Sequence, residues 1–153
     1  MPKNVRSEIN LHLVWHTKLN QPSITPEIEP ALHRFLGNRA LESRGVFVHA
    51  VDGTQDHVHM AVSVPPNLLV SDWIGKLKGS SSHYINTQIA NRKILEWQVG
   101  YGVVSFGTGD LAWVKSYIEN QKQHHATGKV YRRLESTQPE DDSGRQEEDD
   151  DGD

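Results

Sequence analysis

VFVHAVDGTQDHVHMAVSVPP, residues 46–66, decides the fold. Residues 46–51 and 57–64 are two apolar, β-branched runs separated by Asp52-Gly53-Thr54-Gln55-Asp56. That pattern predicts a β-hairpin with a short loop. Pro65-Pro66 stops the second strand, because proline brings no amide hydrogen to a ladder. Side chains alternate across a strand, so His57 and His59 share one face and Val58 points to the other. Two imidazoles spaced by a two-residue rise, about 7 Å, can converge on one ion. In isolation a His-x-His is a common strand pattern without functional meaning.

The same reading extends in both directions. Residues 9–16 alternate, with Leu11, Leu13 and Trp15 on one side and Asn10, His12 and Val14 on the other, which predicts a strand. Thr25-Pro26-Glu27 reads as the start of a helix, Thr25 as N-cap and Pro26 at the first position. That helix runs to about Ser43 with Ile28, Leu32, Phe35 and Leu36 on its buried stripe, and Gly45 ends it. Ser71-Asp72 opens a second helix, lined by Trp73, Ile74, Leu77, Tyr84, Ile85 and Ile89. Its Gly79-Ser80-Ser81-Ser82 run is a weak helix former, which predicts either a bend or close packing. Residues 101–106 form a fourth strand, and a third helix spans residues 110–125 with Leu111, Val114 and Ile118 inward. The order β-α-β-β-α-β-α predicts an α+β sandwich, one antiparallel sheet with helices packed on it.

Composition sets bounds. A chain of 153 residues is one domain of ordinary size. The absence of cysteine excludes disulfides, a thiolate nucleophile and a thiolate zinc site. Nothing demands an oxidising compartment, and no apolar run is long enough to span a bilayer or serve as a signal peptide, so a cytoplasmic protein is expected. The net charge of −4 is unevenly distributed: residues 135–153 carry −9 and residues 1–134 carry +5. The division predicts a mildly basic domain over 1–134 and a disordered acidic tail over 135–153. The tail is either a solubilising terminus or an internal mimic of nucleic acid that competes for the basic surface.

On the third helix Tyr117 and Gln121 are one turn apart and flank the apolar stripe, roughly 40 to 100° from its centre. They sit where helix meets sheet, so the hydroxyl and the amide both need partners there. A metal site on the facing strand would satisfy both.

At this point the chain resembles a known family, the single-tyrosine HUH transposases typified by TnpA of short bacterial insertion sequences, with REP-associated tyrosine transposases as relatives. The matching stretches are LHLVWHTK, QDHVHMAVSVPP, KLKGSSSHYIN, WQVGYGVVSF and SYIENQKQHH, in the family's order over residues 8–134. One departure is Gln55, where many relatives have proline before the Asp-His-x-His. The resemblance implies a ferredoxin-like (RRM-like) fold with helices on one face of an antiparallel sheet, assembled as a homodimer whose active sites are completed either in cis or in trans. It implies Tyr117 as nucleophile and His57, His59 and Gln121 as ligands of a divalent metal ion. Such a lightly charged ligand set suits Mg²⁺ or Mn²⁺. The implied activity is cleavage and rejoining of hairpin-forming single-stranded DNA at insertion-sequence ends through a 5′-phosphotyrosine.

Lys76, Lys78, Arg92, Lys93, Lys129, Arg132 and Arg133 are candidates for tracking phosphates. His124 is a candidate DNA contact or base, although His124-His125 also reads as charge at a helix C-terminus. Trp73, Tyr84 and Trp97 either stack on bases or fill the core. Two other readings are a domesticated relative acting on chromosomal palindromes and a non-catalytic nucleic-acid-binding module of the same fold.

Overall fold

The computed structural model describes residues 5–139, and within them the hairpin closes as two antiparallel strands, β2 (Phe47–Gly53) and β3 (His57–Ser63). β1 (Asn10–His16) pairs antiparallel with β3 on one side and with β4 (Gly102–Phe106) on the other. The resulting order, β2-β3-β1-β4, is that of a ferredoxin-like α+β fold. Register matters most at one place. Val14 pairs with His59, His16 with His57 and His12 with Ala61, so two strands contribute their histidines to one face.

α1 (Glu29–Leu41) and α2 (Val70–Tyr84) cover the opposite face. Leu11, Leu13, Trp15, Val58, Met60 and Val62 meet Leu32, Leu36, Trp73, Ile74 and Leu77 in the main core. Each fully buried side chain of this size contributes about 1.5–3 kcal/mol, so this layer carries most of the fold's stability. Trp73 belongs to it. Tyr84 stacks on Phe35 at a centroid distance of 4.5 Å, and Trp97 meets Trp15 edge-on at 5.9 Å. The three aromatics considered for base stacking therefore have protein partners.

Several boundaries move. Thr25 accepts the amides of Ile28 and Glu29 with its backbone carbonyl, but α1 begins only at Glu29. A second proline, Pro30, occupies the first turn, where its missing N–H costs nothing. The serine run does not bend α2. Ser80, Ser81 and Ser82 donate to carbonyls three or four residues back, and fully buried Ser81 also accepts the Trp97 indole N–H at 3.1 Å. The third helix is divided at Asn120 (φ −110°, ψ 25°) into α3 (Leu111–Glu119) and α4 (Gln121–Thr127). The Asn120 side chain donates to the Ser116 carbonyl, a local bond that competes with regular helix.

Helices on one face describes α1 and α2 but not α3, which lies across the histidine face on a small second core of Ala50, Ala61, Phe106, Val114 and Ile118. The two alanines are the reason: they leave room for a helix on a face whose other positions are imidazoles. Close approach of α3 is what brings Tyr117 and Gln121 to the sheet.

The chain then turns back over β4. α5 (Arg132–Glu135) buries Leu134, and Ser136 lies directly on Gly102. A Cβ on Gly102 would overlap the Ser136 carbonyl oxygen and crowd Val14 Cγ1 at 2.9 Å. Residues 140–153, the bulk of the acidic tail, lie outside the described residues. Gly102→Ala should therefore lower unfolding free energy by about 1–3 kcal/mol in urea titration, the usual cost of overpacking. An unchanged midpoint would mean that the closing segment does not dock on β4.

Candidate active site

His57 and His59 are both buried, and each is held from behind. The closing loop of the hairpin places Asp56 Oδ1 2.6 Å from His57 Nδ1, with Thr54 Oγ1 at 2.8 Å. The carboxylate accepts, so His57 carries its proton on Nδ1 and Nε2 of the neutral ring is a bare lone pair. Burial opposes the charged Asp56 carboxylate, but hydrogen bonds from His57 and Thr54 outweigh it and hold its pKa below the usual range. His16 stacks on the His57 ring at 4.9 Å.

His59 is oriented by a histidine. His12 Nε2 lies 2.8 Å from His59 Nδ1, while His59 Nε2 faces Glu135 Oε2 at 3.1 Å. Without a cation the Glu135 carboxylate accepts from His59 Nε2, so His59 Nδ1 accepts from His12. His12 Nδ1 is then a buried lone pair, in keeping with its having no hydrogen-bond partner among the described residues. Burial, reinforced by His59, pushes the His12 pKa down to about 2. Burial likewise takes His59 down to about 4, although Glu135 pulls in the opposite direction. Both rings are neutral at pH 7.

Gln121 is fully buried. Its amide nitrogen donates to the Tyr117 carbonyl at 3.3 Å, which turns Oε1 toward His57 Nε2 at 3.4 Å. Glu135 Oε2 is 3.6 Å from the same His57 nitrogen. When His57 is neutral, a lone pair and two oxygens meet with no hydrogen between them, an arrangement that a cation would satisfy. His57, His59, His125 and Glu135 each present a ligand atom, all within 4.8 Å of one another. A second group, Glu29, His33 and Asp52, is spanned by the Lys122 ammonium at 2.6 Å from Glu29 and 3.3 Å from Asp52.

Tyr117, only 5% exposed, stands beside this cluster with its ring centroid 6.3 Å from that of His59. Its hydroxyl donates to Glu135 Oε1 at 2.8 Å and accepts the Tyr131 N–H at 2.7 Å. Burial raises its pKa well above the ordinary phenol value, and the Glu135 carboxylate adds to that despite the Tyr131 amide. His124 stacks on the ring at 4.6 Å and Trp113 at 5.6 Å.

Sequence alone singles out neither Thr54, Asp56 and His16 around His57 nor Glu135, His12, Trp113 and Tyr131. Glu135 was counted with the acidic tail. His12 was read only as an alternating strand residue, and Trp113 and Tyr131, 51% and 44% exposed beside Tyr117, carried no periodic signal. His12 carries the most legible signal of them, since alternation puts it on the same strand face as His16, four residues on.

The candidate DNA contacts do not gather into one patch. His124, Arg132 and Arg133 belong to the Tyr117 side, where Arg133 donates to the Ser105 carbonyl at 2.7 Å. Lys76, Lys78, Arg92 and Lys93 lie on α2 and the segment after it, across the sheet. Lys78 is committed to the carbonyls of Gln98 and Gly100 at 2.8 and 2.7 Å, and Lys93 pairs with Glu96 at 3.0 Å. Lys129 is exposed beyond α4. A cleft of about 600 Å³, lined in part by Thr54, Gln55, Asp56, Lys122 and His125, opens next to the histidines.

A strand pair of histidines facing a helical tyrosine on a ferredoxin-like sheet defines a class, and the comparisons agree with it. The family model described as transposase, IS200-like, matches residues 5–121, and the chain belongs to that family. The transposase for insertion sequence element IS200 of Salmonella typhimurium is 27% identical over 130 residues, covering 82% of this chain and 84% of the relative. The ISDra2 transposase TnpA of Deinococcus radiodurans is 25% identical over 121 residues, covering 74% and 84%. A crystal structure of a candidate transposase from Deinococcus radiodurans superposes with a TM-score of 0.62 at 23% identity, covering 79% of this chain and 96% of that one. A REP-associated tyrosine transposase bound to a REP hairpin gives 0.58 at 16% identity, covering 85% and 76%. These two structures share the fold. No helix among the described residues is long and apolar enough to cross a membrane.

The two lowered imidazole pKa values have a consequence for stability. An unfolded histidine takes up a proton below pH 6.5, whereas folded His12 and His59 stay neutral to about 2 and 4. The unfolded chain therefore binds more protons, and stability is lost as pH falls from 6.5 toward the folded values. In metal-free protein, unfolding free energy should decline from pH 7 to pH 5 by roughly 2 kcal/mol for each of these rings. A flat profile over that range contradicts the neutral, buried assignment.

Proposed function

We propose that this chain cleaves and rejoins single-stranded DNA, with Tyr117 as nucleophile and a divalent cation, Mg²⁺ or Mn²⁺, held by His57, His59 and Gln121. The observation that carries this reading is that His57 and His59 present ligand atoms within 4.8 Å of each other beside Tyr117, with Gln121 Oε1 3.4 Å from His57 Nε2. The donor set fits the ion. Ligands at right angles on bonds of about 2.1 Å are about 3 Å apart, close to the 3.4 Å between His57 Nε2 and Gln121 Oε1. A bound divalent ion would supply Lewis-acid stabilisation to the phosphate and the departing oxygen.

The protein groups do the rest. With the ion bound, His59 would take its other tautomer and donate from Nδ1 to His12 Nε2, as His57 Nδ1 donates to Asp56, which leaves both Nε2 lone pairs for the ion. Tyr117 attacks phosphorus: the phenolic O–P bond forms, the P–O3′ bond breaks, the phenol loses its proton and the departing 3′-oxygen gains one. The product is a 5′-phosphotyrosine and a free 3′-hydroxyl. Because the linkage is still a phosphodiester, a second 3′-hydroxyl can reverse the step and join new ends. His124 and Trp113, stacked on Tyr117, hold the ring in line. Trp113, Tyr131 and Arg133 offer bases and phosphates a surface next to the nucleophile.

The substrate we favour is hairpin-forming DNA at insertion-sequence ends, in line with the family and with the REP hairpin held by one structural relative. A homodimer is part of the proposal. Tyr117 lies beside the histidines of its own chain, which favours active sites completed in cis. A purely binding module would need exposed aromatics on the sheet, and here α3 and the imidazoles occupy that face.

Purified protein with Mn²⁺ and a 3′-labelled hairpin should form a covalent adduct resistant to denaturing electrophoresis. Tyr117→Phe should abolish the adduct while DNA binding stays within about threefold, and His57→Ala should reduce cleavage by at least a hundredfold. An undiminished adduct in the Tyr117→Phe protein would remove the nucleophile assignment.

A further inference from the structure

Glu135 lies fourteen residues beyond the end of the family match at 121, yet both of its carboxylate oxygens face the site. One oxygen, Oε2, is 3.1 Å from His59 Nε2 and 3.6 Å from His57 Nε2. The other, Oε1, accepts the Tyr117 hydroxyl at 2.8 Å and faces His125 Nε2 at 3.3 Å. This is not a surface carboxylate that happens to reach inward: its side chain is 14% exposed. It is anchored on both sides, by buried Leu134 and by Ser136 closing over Gly102. We infer that Glu135 is a further protein ligand of the divalent ion and at the same time the acceptor that ties Tyr117 to it.

The argument rests on the metal site proposed above and deepens it. Two imidazoles and an amide bring no charge to a divalent cation, and such a set holds Mg²⁺ or Mn²⁺ mainly through the substrate's phosphate. A carboxylate among them changes this. The separations of 3.1 and 3.6 Å between Glu135 Oε2 and the two imidazole nitrogens match the roughly 3 Å expected between neighbouring ligands at right angles. Two histidines and one carboxylate form a ligand set suited to octahedral divalent ions with open positions. The ion would then bind before DNA arrives. The second oxygen meanwhile keeps the phenolic oxygen one carboxylate away from the ion, which restricts the nucleophile to the edge of the site where a phosphate must enter. Glu135 is thus a ligand for the metal and a positioning residue for Tyr117.

The test is Mn²⁺ binding to the full-length, DNA-free protein, followed by electron paramagnetic resonance of the free ion and by water-proton relaxation of the bound one. Glu135→Gln, which keeps size but removes the charge and exchanges one acceptor oxygen for a donor, should weaken Mn²⁺ binding by about tenfold or more and admit an additional water to the bound ion. Glu135→Asp, which keeps the charge on a shorter arm, should fall between the two and serves if the glutamine variant does not fold. If His57→Ala loses Mn²⁺ but Glu135→Gln binds it with unchanged affinity and hydration, or more tightly, the inference about Glu135 is overturned and the metal site stands. If His57→Ala also binds Mn²⁺ normally, the metal site itself is wrong, and the role of Glu135 falls with it.

Discussion

The far nitrogen of each strand imidazole is already engaged, His57 Nδ1 by Asp56 and His59 Nδ1 by His12, and the rest of the site depends on that constraint. An imidazole with one nitrogen bound has only its other nitrogen to offer, in a fixed direction. Antiparallel register then aligns the two. β1 supplies His12 and His16 to the same face as His57 and His59, so the orienting groups come from a neighbouring strand and from the loop that closes the hairpin. A site built on strands holds its geometry better than one built on mobile segments.

The second requirement is access for a helix. Ala50 and Ala61 are small, and the core they form with Phe106, Val114 and Ile118 is far smaller than the one beneath α1 and α2. Stability and chemistry are thereby divided between the two faces of one sheet. The large apolar core can be satisfied by burial alone, while the histidine face trades apolar area for polar groups that must all find partners. Asp56, Thr54, His12, Gln121, Glu135 and the Tyr131 amide supply those partners, and the network extends from the hairpin loop to α5.

Much of this was legible in the chain. Alternation in residues 46–66 located the hairpin and put His57 and His59 on one face, and the four-residue spacing put Tyr117 and Gln121 one turn apart. What pattern could not supply was register and distance. Nothing in residues 9–16 says that His12 will reach His59, because that depends on how two strands slide past each other. Glu135 was hidden for a different reason. It stands 76 residues from His59 and heads a run of acidic residues, so composition grouped it with the tail, while the single buried neighbour that docks it, Leu134, makes no periodic signal. The division at Asn120 was missed because one polar residue within a helical pattern does not announce that its side chain will bond to the preceding turn.

The central claim is that one divalent cation sits between β3 and the Tyr117 helix. Anomalous diffraction from crystals grown with Mn²⁺ tests it most directly. The account predicts one strong peak within coordination reach of His57 Nε2 and His59 Nε2, on the side facing Gln121. A peak at Glu29, His33 and Asp52 instead, or none near the strand histidines at saturating Mn²⁺, would contradict it.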